Sequence, residues 1–397
     1  MRMDPSAPVF VLLHRVGPYH HARFQAAAKA LQPPLLVLQT RPNSQEYPWS
    51  FSVEGAAYTL LSLSGGREPE QDPPTPLLWK QLSALIDEYQ PAVIVSVGWA
   101  DPAYLSLLAL SQQRKIPLVV VSDSCREDSH RSSLKEWLKR QLLRGYSSAL
   151  VAGSRSRNYI VQLGIEAEAI HQPWDVVDNQ LIAQLAAQAE SAAPPADERP
   201  FLCVGRLIPE KNHALLLQAF AHYQLRGGRR DLLLVGHGPL EEVIRSGCAK
   251  LPRPESVKLI PFVELEQLAW YYGQAHALVL PSRKDTWGLV VNEAMAAELP
   301  AIVSSACGCV DDLIEHGVTG WRFSSEDACG LAQCLYEVDV QPLDERQRMT
   351  SIARSRLDGF GPESFANGLK NACMNAISRP KYSYRSQLLA HLLQLVF

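Results

Sequence analysis

The sequence predicts an α/β protein made of two doubly wound, Rossmann-like parallel-sheet domains facing a central cleft. Three observations carry this. Short β-branched apolar runs alternate with helical patterns nearly throughout the chain, which is the signature of parallel strands joined by crossover helices. The chain has 397 residues, 47% of them hydrophobic, too many for one ordinary core and suited to two domains of roughly 150–200 residues. A Pro- and Ala-rich stretch near the middle separates two copies of the alternation. Ligands of such sheets bind outside the carboxyl ends of the strands, so the functional loops should follow the strands and point into the cleft.

In order along the chain, "PVFVLLH" (8–14) reads as the first strand, "ARFQAAAKAL" (22–31) as a helix and "LLVLQT" (35–40) as a strand. The opening apolar run is far shorter than the roughly 20 residues that span a membrane, and no small-residue cleavage site follows it. Residues 41–76, rich in Pro, Gly and Ser, read as irregular loops around one or two short strands. Then come "QPAVIVSVG" (90–98), "AYLSLLALSQQ" (103–113) and "IPLVVVSDS" (116–124). The helix "NQLIAQLAAQAE" (179–190) runs into "ESAAPPADERP" (190–200), whose prolines cannot continue it. The expected division is therefore 1–189, a linker at 190–200, 201–360, and a closing helical segment 361–397 packed back on the first domain. In the second half, "FLCVGRL", "DLLLVGHG", "SVKLIPFV" and "ALVLPS" are strands, each ending in Gly, Pro or Ser, with "ALLLQAFAHYQL" and "LAWYYGQA" as helices between them. No internal repeat or low-complexity tract is present.

Composition excludes several classes. A formal net charge of −3 and a sequence pI of about 6.4 provide no basic field for a nucleic-acid backbone. Eight cysteines are scattered, with only Cys307 and Cys309 close together, which fits neither a disulfide scaffold nor a four-ligand zinc site. A reduced cytoplasmic location is expected. The sequence has no Asp-x-Asp triplet, GxxxxGK[ST] loop, HExxH or GxSxG, so metal-dependent transfer, P-loop hydrolysis, zinc proteolysis and the serine-hydrolase elbow lose their usual supports.

Two stretches carry chemistry. In "VGRLIPEKN" (204–212) a strand ends at Gly205, where the backbone can come close to a ligand, and Arg206 and Lys211 follow. The planar fork of arginine and the point charge of lysine suit a diphosphate; alternatively both cations sit on a solvated loop and Glu210 pairs with one of them. In "DTWGLVVNEAMAAELP" (285–300) a loop broken at Trp287 and Gly288 leads into a helix whose first amides form an anion site. Glu293 lies about 7.5 Å along that helix at 1.5 Å per residue, and Asp285 stays on the loop, so two acids straddle the anion site. Carboxylates accept from vicinal hydroxyls, which suits a nucleotide sugar. Alternatively, Glu293 is an ordinary surface residue and Asp285 a helix cap.

Together, "GRLIPEKN", "LLLVGHGPL", "PSRKDTWGLVVNEAMAAELPAIVS" and "CGCVDDLIEHGVTGWRF" resemble, over roughly Phe201 to Asp339, the donor domain of the retaining GT-B glycosyltransferases of family four. The resemblance implies that Arg206 and Lys211 hold the donor diphosphate, that Asp285 meets the transferred sugar and that Glu293 meets the nucleotide ribose. It adds Gly17, Gly205, Phe262, Thr286, Trp287, Gly288 and Leu289 to the donor-binding set. The family usually has glutamate where this chain has Asp285. "HRVGPYHHARFQAAAKAL" (14–31) is similar to the family's first loop, which makes Gly17 and His20 candidates. Where many relatives end the corresponding strand with a histidine, this chain has Asp123-Ser124, so the catalytic residue of the first domain is either Asp123 or unassigned. The implied activity is a metal-independent, retaining transfer of a hexose-type sugar from a nucleoside diphosphate to a saccharide or lipid-linked acceptor. The nucleotide sugar is a substrate; no cofactor is expected. The alternatives are another GT-B reaction, such as epimerisation or phosphorolysis, and a non-catalytic nucleotide-binding module.

"RSSLKEWLKRQLLRGY" (131–146) places Lys135 and Lys139 one turn apart and Arg140 and Arg144 one turn apart, with Leu134, Leu138 and Leu142 available for the core. It is either a solvated face or a peripheral contact with anionic lipid at the inner membrane face. The tail "RPKYSYRSQLLAHLLQLVF" has a similar character, and a closing helix is its expected use.

Overall fold

The computed structural model describes residues 4, 6–42, 52–63, 73–99, 101–128 and 131–394. Parts of the stretch expected to be irregular, 43–51 and 64–72, lie outside the described residues, as do the last three residues of the tail.

The chain divides into two compact units, Met1–Val176 with Pro362–Phe397, and Val177–Gly361. In the first, β1 (Val9–Leu13), α1 (Pro18–Ala30), β2 (Leu35–Gln39), β3 (Thr59–Ser62), α2 (Thr75–Tyr89), β4 (Val93–Val97), α3 (Pro102–Arg114), β5 (Leu118–Ser122), α4 (Ser133–Leu143), β6 (Ser148–Val151), α5 (Ser154–Gln162) and β7 (Ile170–His171) follow in order. The strands form one sheet ordered β3-β2-β1-β4-β5-β6-β7. Its ladders are parallel, with Val11 opposite Val37 on one side and Val95 on the other. Parallel sheets are covered on both faces, which is why "VFVLL" and "LVVVS" are uniformly buried rather than alternating.

The second unit holds α6 (Asn179–Glu190), β8 (Phe201–Val204), α7 (His213–Leu225), β9 (Leu232–Val235), α8 (Glu241–Cys248), β10 (Val257–Ile260), α9 (Leu265–Gln274), β11 (Ala277–Leu280), α10 (Leu289–Ala296), β12 (Ala301–Ser304), α11 (Val310–Leu313), β13 (Trp321–Phe323), α12 (Ala328–Asp339) and α13 (Leu343–Arg356). Its sheet runs β10-β9-β8-β11-β12-β13. Strand order reverses between β8 and β11, and loops on either side of such a switch point diverge to leave a crevice at their carboxyl ends.

The chain leaves the first unit at Val176, earlier than the expected linker at 190–200. The reason is packing. Helix α6 docks on α9, and Asp178 caps it by accepting from the Leu181 amide at 3.0 Å, so both α6 and the proline-rich stretch after it lie within the second unit. The chain returns at Pro362. Helix α14 (Pro362–Ser378) packs on α1, and α15 (Tyr384–Leu393) on α3 and α4. The second layer laid down by α15 explains why Ala103 to Gln112 of α3 are all buried. A second correction concerns α4. Leu142 is in the core, but Leu134 is 66% exposed, because the first turn of α4 stands clear of the sheet and only its last turn reaches the core.

Candidate active site

Within the second unit, the loop after β8 and the loop after β11 are brought together because their strands are neighbours. Lys211 and Asp285 are 74 residues apart in sequence, yet Lys211 Nζ donates to Asp285 Oδ2 at 2.6 Å. Their side chains are 20% and 12% exposed, and Ser282 Oγ donates to the same carboxylate oxygen at 3.3 Å. The carboxylate beside Lys211 outweighs burial and raises the ammonium pKa, so the lysine is a fixed positive charge at every working pH.

The loop is pinned by Asn212. Its backbone is left-handed, φ 57°, a conformation asparagine tolerates better than most residues. Its buried amide donates to the Pro281 carbonyl at 3.2 Å and the Ser325 carbonyl at 3.0 Å. Thus the residue after Lys211 ties its loop directly to the end of β11. Gly205 ends β8 with the stem of Lys211 folded over it, and Arg206 is half-buried on the same loop.

The loop 285–288 rests on a second loop, 307–309. Gly308 N donates to the Asp285 carbonyl at 2.9 Å and Cys309 N to the Trp287 carbonyl at 3.0 Å. A Cβ on Gly308 would stand 1.9 Å from the Thr286 oxygen, an overlap that neither backbone can relieve. Gly308→Ala should therefore push the 285–288 loop out of place. A loss of roughly 1–3 kcal/mol of stability, together with lost nucleotide binding in calorimetry, is the expected result; a variant matching the parent in melting and binding would show the loop to be pliable.

Gly288 starts α10 with φ 100°, and Trp287 locks the approach by donating to Asn292 Oδ1 at 2.9 Å and packing on Phe360. Gly288, not Asp285, is the cap position and no side chain caps the helix, which rules out the capping alternative for Asp285. The pairing with Lys211 likewise replaces the expected alternative partner, Glu210, which is exposed. Thr286 and Leu289 are half-buried beside Asp285 and at the first turn. Phe262, on the loop after β10, packs edge-on against His237.

Glu293 is not a surface residue. It is 0% exposed, and its Oε2 accepts from Tyr272 of α9 at 2.6 Å. Because α10 is buried along 291–296, a carboxylate at its second turn faces inward. The structure joins Asp285 to Lys211 and encloses Glu293, so the two acids do not form one open pair. Tyr272 lies in "LAWYYGQ", where sequence shows only a helix with aromatic residues, and no local signal marks its role.

In the first unit, Gly17 precedes α1 in an extended conformation open to any residue. Its amide donates to His20 Nδ1 at 3.3 Å, so the neutral ring carries its proton on Nε2 and is a hydrogen-bond donor at that end. Burial and the nearby Arg23 push the His20 pKa down to about 3, which keeps the ring neutral and unable to act as a base through Nδ1. His21 bonds Tyr58 at 3.0 Å.

A cavity of about 430 Å³ opens at the carboxyl ends of β4 and β5, walled by Trp99, Asp101, Tyr104, Asp123, Lys139 and Trp174 among others. Asp101 is engaged, capping α3 through Ala103 N at 3.0 Å and accepting from Arg41 at 2.7 Å. Lys139 is engaged with Glu136 at 2.9 Å and Tyr159 at 2.8 Å. Asp123 differs: its backbone oxygen accepts from Ser156 at 3.0 Å, and its carboxylate makes no hydrogen bond among the described residues. Among the described residues no cluster of three or more His, Cys, Asp or Glu side chains could hold a metal, and no helix is long and apolar enough to cross a membrane.

Two parallel sheets, each with a strand-order switch, are the architecture of the GT-B fold. Solved structures agree over nearly the whole chain. The Anabaena HepE protein, in complex with UDP and glucose, superposes with a TM-score of 0.71 at 17% identity, covering 91% of this chain and 98% of that one. Residues 186–356, which fall inside the second unit, match the family described as glycosyl transferases group 1. The amylovoran biosynthesis glycosyltransferase of Erwinia amylovora is 31% identical over 153 residues, 36% of this chain and 37% of that protein. The D-inositol 3-phosphate glycosyltransferase of Frankia alni is 32% identical over 187 residues, 45% of each. This chain thus spans less than half the length of either relative.

Proposed function

We propose that the protein is a retaining glycosyltransferase that moves a hexose-type sugar from a nucleoside diphosphate to a saccharide or lipid-linked acceptor. The observation that carries it is the Lys211–Asp285 pair at the β8–β11 switch point: a cation for the diphosphate and a carboxylate for sugar hydroxyls lie within one hydrogen bond of each other. The group 1 domain over 186–356 supports the same reading.

In this proposal Arg206, Lys211 and the amides at the start of α10 take the charge that builds on the departing diphosphate. Asp285 orients the sugar through a hydroxyl. The acceptor oxygen attacks the anomeric carbon from the face the phosphate leaves, and its proton passes to the leaving phosphate oxygen. The cavity of the first unit suits the acceptor, since the aromatic walls Trp99, Tyr104 and Trp174 offer apolar faces to a sugar ring and the Asp123 carboxylate can accept from a hydroxyl.

Glu293 keeps the ribose end by its place on α10, and because it is fully covered, the ribose must open the surface above it. Tyr272→Phe should then change nucleotide affinity by roughly threefold to tenfold with turnover at saturation little altered; calorimetry and steady-state kinetics separate the two, and an effect on turnover alone would remove Glu293 from the nucleotide site. With the charges of Arg206 and Lys211 in the role of a cation, chelator should leave activity largely unchanged. Loss of activity with EDTA, restored by magnesium or manganese, would overturn that role.

The test of the function is a panel of nucleotide sugars scored for acceptor-dependent release of nucleoside diphosphate. Release of free sugar without transfer, or strict dependence on phosphate, would replace the proposal with an epimerase or a phosphorylase.

A further inference from the structure

We propose that the outer face made by α4 and α15 docks the protein on a bilayer containing anionic lipid. Helix α15 carries apolar side chains on its water-facing side as well as on the side that packs on the core. Tyr384, Leu388 and Leu392, spaced by four and therefore on one stripe, are 75%, 46% and 53% exposed. Its buried side combines Ala390 and the partly buried Leu389 and Leu393 with two polar groups, Ser386 and, just past its end, Gln394. The orientation is fixed by hydrogen bonds: Ser386 Oγ donates to the Leu142 carbonyl of α4 at 2.7 Å, and Gln394 Oε1 accepts from Ser106 at 2.6 Å. Turning Leu388 and Leu392 inward would break both.

Helix α4, against which α15 packs, repeats the pattern. Leu134 and Trp137 are 66% and 52% exposed, and Lys135, Arg140 and Arg144 are exposed with them. Its single acid, Glu136, is turned in to Lys139 and Tyr159. Helix α15 adds exposed Arg385 and has no acid. The two helices therefore present aromatic and leucine side chains among cations with no exposed carboxylate of their own. That combination suits the interfacial zone of a membrane, where aromatic rings sit at headgroup level and cations meet anionic lipid. A bilayer also fits the position of α4, since Lys139 on its other side borders the cavity of the first unit.

Docking is measured without turnover, so its failure is distinguishable from failure of the proposed transfer. The full chain is sedimented with vesicles of phosphatidylcholine alone and of phosphatidylcholine mixed with phosphatidylglycerol. Binding should be at least about tenfold tighter to the anionic vesicles and weaken with salt. The double variant R140S/R144S should lose roughly 25-fold on those vesicles, from about fivefold per cation. W137S/L388S should also lose at least about fivefold. Arg140 gives up one exposed hydrogen bond to the Gln162 carbonyl and Trp137 and Leu388 are about half covered, so both variants are compared with the parent at a temperature where thermal melts show each fully folded. Equal binding to the two vesicle types, or none to either, overturns the proposal. So does a concentration-dependent dimer that Leu388→Glu disperses without any vesicle binding, which would assign the face to a second copy of the chain.

Discussion

Lys211→Ala should lower kcat/KM for the sugar donor by a factor corresponding to roughly 2–4 kcal/mol, the range for removing one preorganised charge from a developing anion. The ammonium is held on the loop after β8 by Asn212 and on its other side by Asp285, so little reorganisation is needed when the diphosphate arrives. The variant also leaves the half-buried Asp285 without its cation, which should cost some stability on its own account. The double variant K211A/D285A separates the two effects. Stability should recover, since no charge is left unpaired, while turnover should not. A single variant with parental kcat/KM would show that the diphosphate is held elsewhere.

The second large effect is expected at Asp285. Its carboxylate is paired with Lys211, so in the proposed reaction the phosphate oxygens and Asp285 share the same ammonium. Asp285→Asn keeps the size of the side chain and removes the charge. Turnover should fall by roughly 10–1000-fold as the sugar loses an acceptor, while affinity for the free nucleoside diphosphate stays within a few-fold or rises because the competitor has gone. Opposite signs for turnover and affinity distinguish a sugar contact from a merely structural ion pair, whose loss would weaken both. Asp285→Glu lengthens the side chain by one methylene, about 1.5 Å, and should change the ranking of donor sugars more than the affinity for the nucleotide, because a water can bridge the gap that aspartate leaves. A variant set that turned over every donor at the parental rate would leave the sugar contact to another residue.

The sheets were readable because fully buried parallel strands are continuous apolar runs, and the runs at 9–13, 93–97, 118–122 and 277–280 all became strands. The Lys211 loop and the Asp285 loop were readable as separate anion-binding stretches, but their hydrogen bond depends on the β8–β11 neighbour relation, which no local pattern encodes. Glu293 shows the limit from the other side. Helical spacing puts it on a face of α10, but whether that face is inner or outer is decided by α9 and Tyr272. Leu134 shows the same limit: periodicity makes it available for the core, and only tertiary packing says how far along α4 the core extends. The expected linker at 190–200 and the unit division after Val176 differ because proline-rich composition marks where a helix must stop, whereas a division between units is set by which core the preceding helix joins, here that of α9.

The route of the chain through its units has a consequence for synthesis. The first unit is discontinuous, with 1–176 separated from 362–397 by the whole of the second. Because α14 covers α1 and α15 covers α3, a nascent chain that has emerged only to residue 361 still shows the apolar faces of both helices to water. The second unit, continuous from 177 to 361, can close while that wait continues, so a chain whose first half comes off the ribosome earlier finishes that half last. The interval is when the first unit is most open to aggregation. For the same reason a fragment ending at 176 lacks its own lid, and an isolated first unit would have to be built by splicing 1–176 to 362–397.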